Sequence, residues 1–204
     1  MAVITISRQF GAGGITLGER LAKNLGYRFV NDELIKQVAE NVGVSSDQVR
    51  SFEERGTSKL MKLLDRIVSP DFLERHVSNK HGYLDEKRYV DEVRVAIIRL
   101  YEKGNAVIIG RGGNYALQGY VGTIHVLLVA DMEQRIRFLM NKYKLNEGQA
   151  DRAIKRADMI RQRFLDCFSP QENHDDPRLY TMVLNMNYVT MEKAVELVTA
   201  LILK

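Results

Sequence analysis

The stretch AVITISRQFGAGGITLGERLAKNL, residues 2–25, changes character twice within its length. Residues 2–7 are a β-branched apolar run, the composition of a buried strand. Gly11, Gly13 and Gly14 then break any periodicity. From Thr16 to Leu25 the spacing of Leu17, Leu21 and Leu25 predicts one face of a helix that stops at Gly26. Strand, glycine loop and helix in that order set a parallel α/β organisation, because the next strand in the same direction needs a crossover. The loop also defines a binding locus. Glycines let the backbone approach a ligand and turn its N–H groups inward, while the helix N-terminus contributes a positive dipole end, so the expected occupant is an anion, phosphate above all.

Three motif readings compete for this loop. The dinucleotide pattern Gly-x-Gly-x-x-Gly fits Gly11 and Gly13 but finds Thr16 at the third glycine, with Asp32 placed 21 residues after Gly11, near where a ribose-binding acid sits. The phosphate-loop pattern Gly-x-x-x-x-Gly-Lys-[Ser/Thr] fits in part: Arg8 takes the first glycine's place, Gly14 takes the lysine's, and Thr16 lies one position beyond the hydroxyl. The third reading is a tight turn with no ligand. Arg8 ends the first strand, where open α/β sheets place their ligands, and its guanidinium is the cation nearest in sequence to the loop.

Outward from this unit, 27–30 reads as a short strand. Asn31 or Asp32 caps a helix bearing Leu34, Ile35, Val38 and Val42, and 45–103 is helical in pattern with a polar loop near 78–87. Short apolar runs at 106–110 and 124–130 read as buried strands, and Asp131-Met132-Glu133-Gln134 as a capping box opening a helix through Met140. A helix over 147–166, a strand near 180–184 and a helix from Thr190 complete the chain. Gly110-Arg111-Gly112-Gly113 puts a second arginine at a strand's carboxyl end, and Asp131 also ends a strand, where its place before a helix favours an N-cap.

The composition limits the alternatives. The chain has 204 residues, is 45% hydrophobic and carries a formal charge of +4, the profile of an ordinary globular protein of one core with insertions. A single cysteine, Cys167, rules out an internal disulfide framework. Residues 1–6 lack a secretory n-region and no apolar run approaches the ~20 residues a membrane span needs, so a reducing cytoplasm is the expected compartment. The excess charge is local. Residues 135–163 hold nine Lys and Arg against Glu147, Asp151 and Asp158, more than the whole chain's net charge, which suits closure over a polyphosphate better than a broad nucleic-acid surface. At 100° per residue, Ala150, Ala153, Ile154, Ala157, Ile160 and Phe164 share one face of the 147–166 helix, and Arg161 falls in its middle. A cation there must snorkel, pair or face an anion. Asp158, three residues earlier, is the expected partner. His76 and His81 are off-register for a metal pair, and no metal-ligand cluster emerges.

These motifs together resemble the cytidylate kinase-like branch of the P-loop nucleoside monophosphate kinases. The likeness lies in residues 4–14, 18–22, 107–113, 176–180 and 183–185, and spans most of the chain. It implies a single three-layer domain over 1–204, a parallel sheet flanked by helices, a helical acceptor-binding insertion over about 32–90 and a lid over about 142–166. It further implies phosphoryl transfer from ATP with Mg²⁺ to a nucleoside monophosphate or another small acceptor. In that frame Gly11, Ala12, Gly13, Gly14, Ile15 and Thr16 cradle the donor phosphates, and Thr16 is also the candidate Mg²⁺ ligand. Asp32 and Arg111 bind the acceptor, and Arg161, Asp158 and Arg8 are catalytic. The chain departs from the family pattern at three charged positions: Gly14 stands for the lysine, Gly112 for an aspartate and Ile154 for a lid arginine, with Arg8, Lys155 and Arg156 as candidate replacements. A nucleotide-binding regulator without turnover is the alternative function, and RNA or DNA binding and dinucleotide binding rank below it.

Overall fold

The computed structural model describes residues 2–31, 86–170 and 172–202. Five strands, β1 Val3–Arg8, β2 Arg28–Val30, β3 Ala106–Ile109, β4 Thr123–Val129 and β5 Met182–Asn185, form one sheet in the order β2-β3-β1-β4-β5. Every neighbouring pair is parallel, as the alternation of strand and helix predicts. The helices are α1 Gly14–Leu25, α2 Glu86–Lys103, α3 Gly113–Ala116, α4 Met132–Tyr143, α5 Glu147–Asp166 and α6 Met191–Ala200. The predicted acid Asp32, the pair His76 and His81, and most of the 32–90 insertion lie outside the described residues.

The central strand β1 explains the layering. Its side chains alternate between two cores. Ile4 and Ile6 enter the apolar layer formed with Leu17 and Leu21 of α1 and Ala194 and Val198 of α6. Val3 enters the opposite layer, with Val93, Ile97 and Leu100 of α2 and Leu117. Thr5 and Ser7 follow Val3 on that second face and are buried too, which is unusual for polar side chains in a central strand. Both are hydrogen-bonded: Thr5 Oγ1 lies 2.7 Å from His125 Nδ1, and Ser7 Oγ donates to Asn114 Oδ1 at 3.4 Å. Burial pushes the His125 imidazole below its ordinary pKa. The polar seam thus runs up β1 toward its carboxyl end.

Helices α4 and α5 form an antiparallel hairpin with its own small core of Leu139, Ala150, Ala153 and Ile154. The α5 bounds match the sequence reading, and its start is a full capping box in which Asn146 and Gln149 satisfy each other's backbone N–H. The box expected at Asp131 is half made. Asp131 accepts from Gln134 N at 2.8 Å, but its own N–H donates to Asn187 Oδ1 at 3.1 Å, because the loop after β5 reaches it first. Helix α1 begins at Gly14, two residues before the predicted start, and α4 runs to Tyr143 rather than Met140. The polar stretch read as a loop to Lys87 is already helical from Glu86, since α2 starts there. The short helix α3 and a 3-10 turn at Pro177–Leu179 were not expected.

Leu17, fully buried between α1 and the sheet, is the test of this layer. Leu17→Ala is expected to cost about 2–5 kcal/mol in chemical denaturation, and a cost under ~1 kcal/mol would show that α1 does not pack as described.

Candidate active site

The glycine loop turns at Gly11 and Gly13, whose φ values of 90° and 91° lie in the left-handed region. Gly13 is the N-cap of α1 and provides no side chain to cap it, and the first turn carries no acid. The loop is also enclosed. A Cβ on Gly13 would come within 2.8 Å of Met191 Cε, and one on Gly11 within 3.1 Å of Arg135 Cβ. The sequence therefore uses glycine here for both backbone conformation and close approach.

Gly14 is explained by its neighbour. A Cβ there would lie 2.9 Å from Arg8 Cγ and 3.1 Å from Arg8 Cβ, so the aliphatic stem of Arg8 fills the start of the space a lysine would occupy. The far end of Arg8 lies against Gly110, at the carboxyl end of β3, where an added Cβ would strike Nη1. Among the described residues no carboxylate comes within ion-pair distance of this guanidinium. Its pKa is pushed down to about 10, first by burial and then by the charges of Arg161 and Arg111, with Asp158 opposing them. Arg111 holds a positive φ of 57° in the turn that leads into α3. Three arginines, from the ends of β1 and β3 and from α5, thus share one field. A buried cation with like charge around it costs stability and makes this place a candidate anion site.

Arg161 lies within the site, but Asp158 is not its partner. Asp158 accepts Phe10 N at 3.0 Å and pairs with Arg135 at 2.5 Å, tying α5 to the glycine loop and to α4. It therefore holds the hairpin to the loop. The i,i+3 expectation fails because Arg135, on the facing helix, reaches the carboxylate. Arg161 pairs instead with Asp175 at 2.7 Å. Neither Arg161 Nη2 nor Asp175 Oδ1 has a hydrogen bond of good geometry, although both are buried. That pair is a contact of charges rather than a satisfied fork.

Several residues of this site are not among the candidates singled out in the sequence. Gln9, just past β1, donates through Nε2 to Asp175 Oδ2 at 3.0 Å and accepts Ala130 N at 3.1 Å, so it joins the ends of β1 and β4 to the 172–176 loop. Tyr180 lies against both Ser7 and Arg161, and burial raises its pKa. Its hydroxyl donates to His174 O at 2.6 Å. His174 itself is buried, 2.5 Å from Tyr115 Oη and 3.0 Å from Asp166 Oδ1. With Nε2–H donated to Asp166, Nδ1 accepts the Tyr115 hydroxyl. Asp176, in the stretch that carried the family likeness, caps the 3-10 turn, and its contacts with Arg178 hold its carboxyl down at about 2. Of the candidate replacement cations, Lys155 is bound to Asp151 at 2.9 Å. Gly112 has no room for an aspartate: an added Cβ would meet the Phe168 ring at 2.6 Å.

Among the described residues none is arranged to hold a resident Mg²⁺. Thr16 Oγ1, the expected ligand, faces the ammonium of Lys142 at 3.4 Å. Asp131 is engaged by Gln134 N and by the Asn187 amide. Among the described residues no group of three or more His, Cys, Asp or Glu is arranged for a metal.

Because folding crowds Arg8 with like charge, the folded state disfavours its protonated form. That cost is present at neutral pH and is relieved only as pH rises through about 10. Arg8→Met, which keeps the stem against Gly14, is therefore expected to stabilise the fold by roughly 1–3 kcal/mol at pH 7 in denaturant titration, and to remove stabilisation by added phosphate. Loss of stability would show that Arg8 is compensated.

The comparisons with known proteins bear on the fold and the family. A 92-residue segment, 45% of the chain, is 30% identical to a uronate isomerase from Corynebacterium glutamicum, and the chain spans only 18% of that relative's length. An uncharacterized protein from Eubacterium ventriosum superposes with a TM-score of 0.69 at 17% identity, covering 99% of this chain and 98% of its own. A shikimate kinase from Bacteroides thetaiotaomicron superposes with a TM-score of 0.54 at 16% identity, covering 100% and 99%. These likenesses establish the fold, a parallel sheet between helix layers as in P-loop kinases. The family model described as cytidylate kinase-like matches residues 3–188, which include all five strands of the sheet, and the chain belongs to the cytidylate kinase-like family.

Proposed function

We propose that this protein is an ATP-dependent phosphotransferase, transferring the γ-phosphoryl group of Mg-ATP in line to a nucleoside monophosphate or another small acceptor. The observation that carries the reading is the buried Arg8 guanidinium at the carboxyl ends of β1 and β3, with the charges of Arg161 and Arg111 around it and its stem against the first residue of α1. Phosphoryl transfer asks the protein for position and positive charge more than for covalent chemistry. In this reading Gly11 to Thr16 present backbone N–H groups to the donor phosphates. An acceptor oxygen attacks the γ-phosphorus as the bond to the β,γ-bridging oxygen breaks, and the arginines stabilise the charge spread over the transferring group. Mg²⁺ arrives on the ATP phosphates as part of the substrate, consistent with its preference for phosphate and water ligands over all-protein cages.

Helix α5 and its approach, about 142–166, act as the lid. Arg161 exchanges Asp175 for phosphate when the lid engages ligand, which the poor geometry of the existing pair favours. Arg111 and Asp32 are the acceptor-binding residues of this reading. A chain with one cysteine, and no helix among the described residues long and apolar enough to cross a membrane, suits work in the cytoplasm. One observation favours a second reading, a nucleotide-binding regulator without turnover: Gly14 and Gly112 are packed against Arg8 and Phe168, so neither charged group of the family pattern has a seat.

Incubation with Mg-ATP and a panel of nucleoside monophosphates, nucleosides and small metabolites, following ADP release, separates the two. Acceptor-dependent ADP is expected, with Arg161→Ala lowering kcat by about 100-fold or more. Tight ATP binding with no acceptor-dependent ADP would contradict the kinase reading and support the regulator.

A further inference from the structure

Lys142 has no role in the family pattern, and it sits in an electrostatically unfavourable place. It belongs to the last turn of α4, exposed and 126 positions from Thr16 in sequence, yet its ammonium lies 3.4 Å from Thr16 Oγ1 in the first turn of α1. Among the described residues no carboxylate pairs with it. Two rings of its own helix flank it instead, Phe138 with its centroid 5.4 Å away and Tyr143 at 5.9 Å. A lysine in a final helical turn is ordinarily placed to meet its own helix's negative end. This one is directed at the positive end of another helix, whose first turn has no acid and no side-chain cap. A cation facing a helix N-terminus repels it unless an anion comes between them.

The other candidate for the missing lysine's work, Arg8, is directed elsewhere. Its stem covers Gly14 and its guanidinium lies against Gly110 on the β3 side, with Arg161 and Arg111 around it. That leaves the first turn of α1 without a cation from the loop itself.

We infer that Lys142 supplies this charge: its ammonium, carried on α4, binds the donor polyphosphate oxygens that lie over Thr16, so that the function of one loop lysine is divided between Arg8 on the transferring side and Lys142 on the donor side. The inference rests on the phosphotransferase reading and deepens it. It also accounts for Thr16, whose hydroxyl serves as a partner of the ammonium and of phosphate rather than as a metal ligand. The two rings keep the ammonium within reach of the loop when no anion is present, at little cost because cation–π contacts leave it free to move.

The test is calorimetric titration of the full chain with Mg-ATP and with inorganic tripolyphosphate. Lys142→Met keeps the stem and removes the charge, and Lys142→Arg restores a cation. The expected result is a loss of about tenfold or more in affinity for both ligands in Lys142→Met, the scale of one charge-assisted hydrogen bond, with Lys142→Arg within about threefold of the unaltered protein. The melting temperature without ligand should match in all three, since the side chain is exposed. Lys142→Met binding both ligands as tightly as the unaltered protein would overturn the inference and leave the phosphotransferase reading standing. Failure of the unaltered protein to bind either ligand would overturn the reading itself, and the inference with it.

Discussion

Burial of the Arg8 guanidinium at the carboxyl end of β1, beside the like charges of Arg161 and Arg111, is the constraint around which the rest of this site is arranged. A buried guanidinium beside like charge lowers the stability of a fold, and among the described residues no carboxylate pairs with Arg8. Asp175 reaches Arg161, and Asp158 contributes from a distance while bound to Arg135. Arg8 is left with the largest burden. The apolar layers on both faces of β1 supply the stability that lets this charge persist at its carboxyl end. On the proposed reading, binding of a multiply charged anion would recover the stability given up in the free protein.

The segment after α5 holds this arrangement in register. Gln9, Asp175, Tyr180 and His174 form a continuous set of polar contacts from the end of β1 through the 172–176 loop to Tyr115 on α3 and Asp166 on α5. Two of these contacts, Gln9 to Asp175 and Tyr115 to His174, join elements far apart in sequence. The network therefore couples the position of α5, and Arg161 with it, to the glycine loop. Asp158 makes the second connection, from α5 to the backbone of Phe10. Movement of α5 would alter the start of the loop at Gln9 and Phe10 together, the coupling that the proposed lid would use.

The fold was legible from residues 2–25 because two physical periods, 2 and 3.6, meet there at a glycine loop. The 147–166 helix was legible for the same reason, and its misplaced Arg161 pointed to the site. Pairing was not legible. Asp158 reads as the partner of Arg161 on a single helix, whereas Arg135 on the facing helix takes it, and helix-to-helix contacts leave no mark in local spacing. Gln9, Asp175 and Tyr180 are polar residues in loops and at element ends, and only the closing of the sheet brings them together. One signal did exist for His174 and Asp175: two consecutive chemistry-bearing residues in a proline-bounded loop, 170–177, after the helix with the anomalous arginine. The reason for Gly14 and Gly112 was hidden as well, since the Arg8 stem and the Phe168 ring that fill their space are supplied by tertiary packing.

The central claim is that the arginine cluster is a phosphate site, and NMR of the arginine side chains tests it most directly. Nε–H resonances of Arg8, Arg111 and Arg161, assigned by single substitutions, would be followed during titration with Mg-ATP and then with an acceptor. The account predicts saturable shifts at all three, with Arg161 changing as it leaves Asp175 for phosphate. Resonances of the three that stay fixed while ATP binds elsewhere would contradict it.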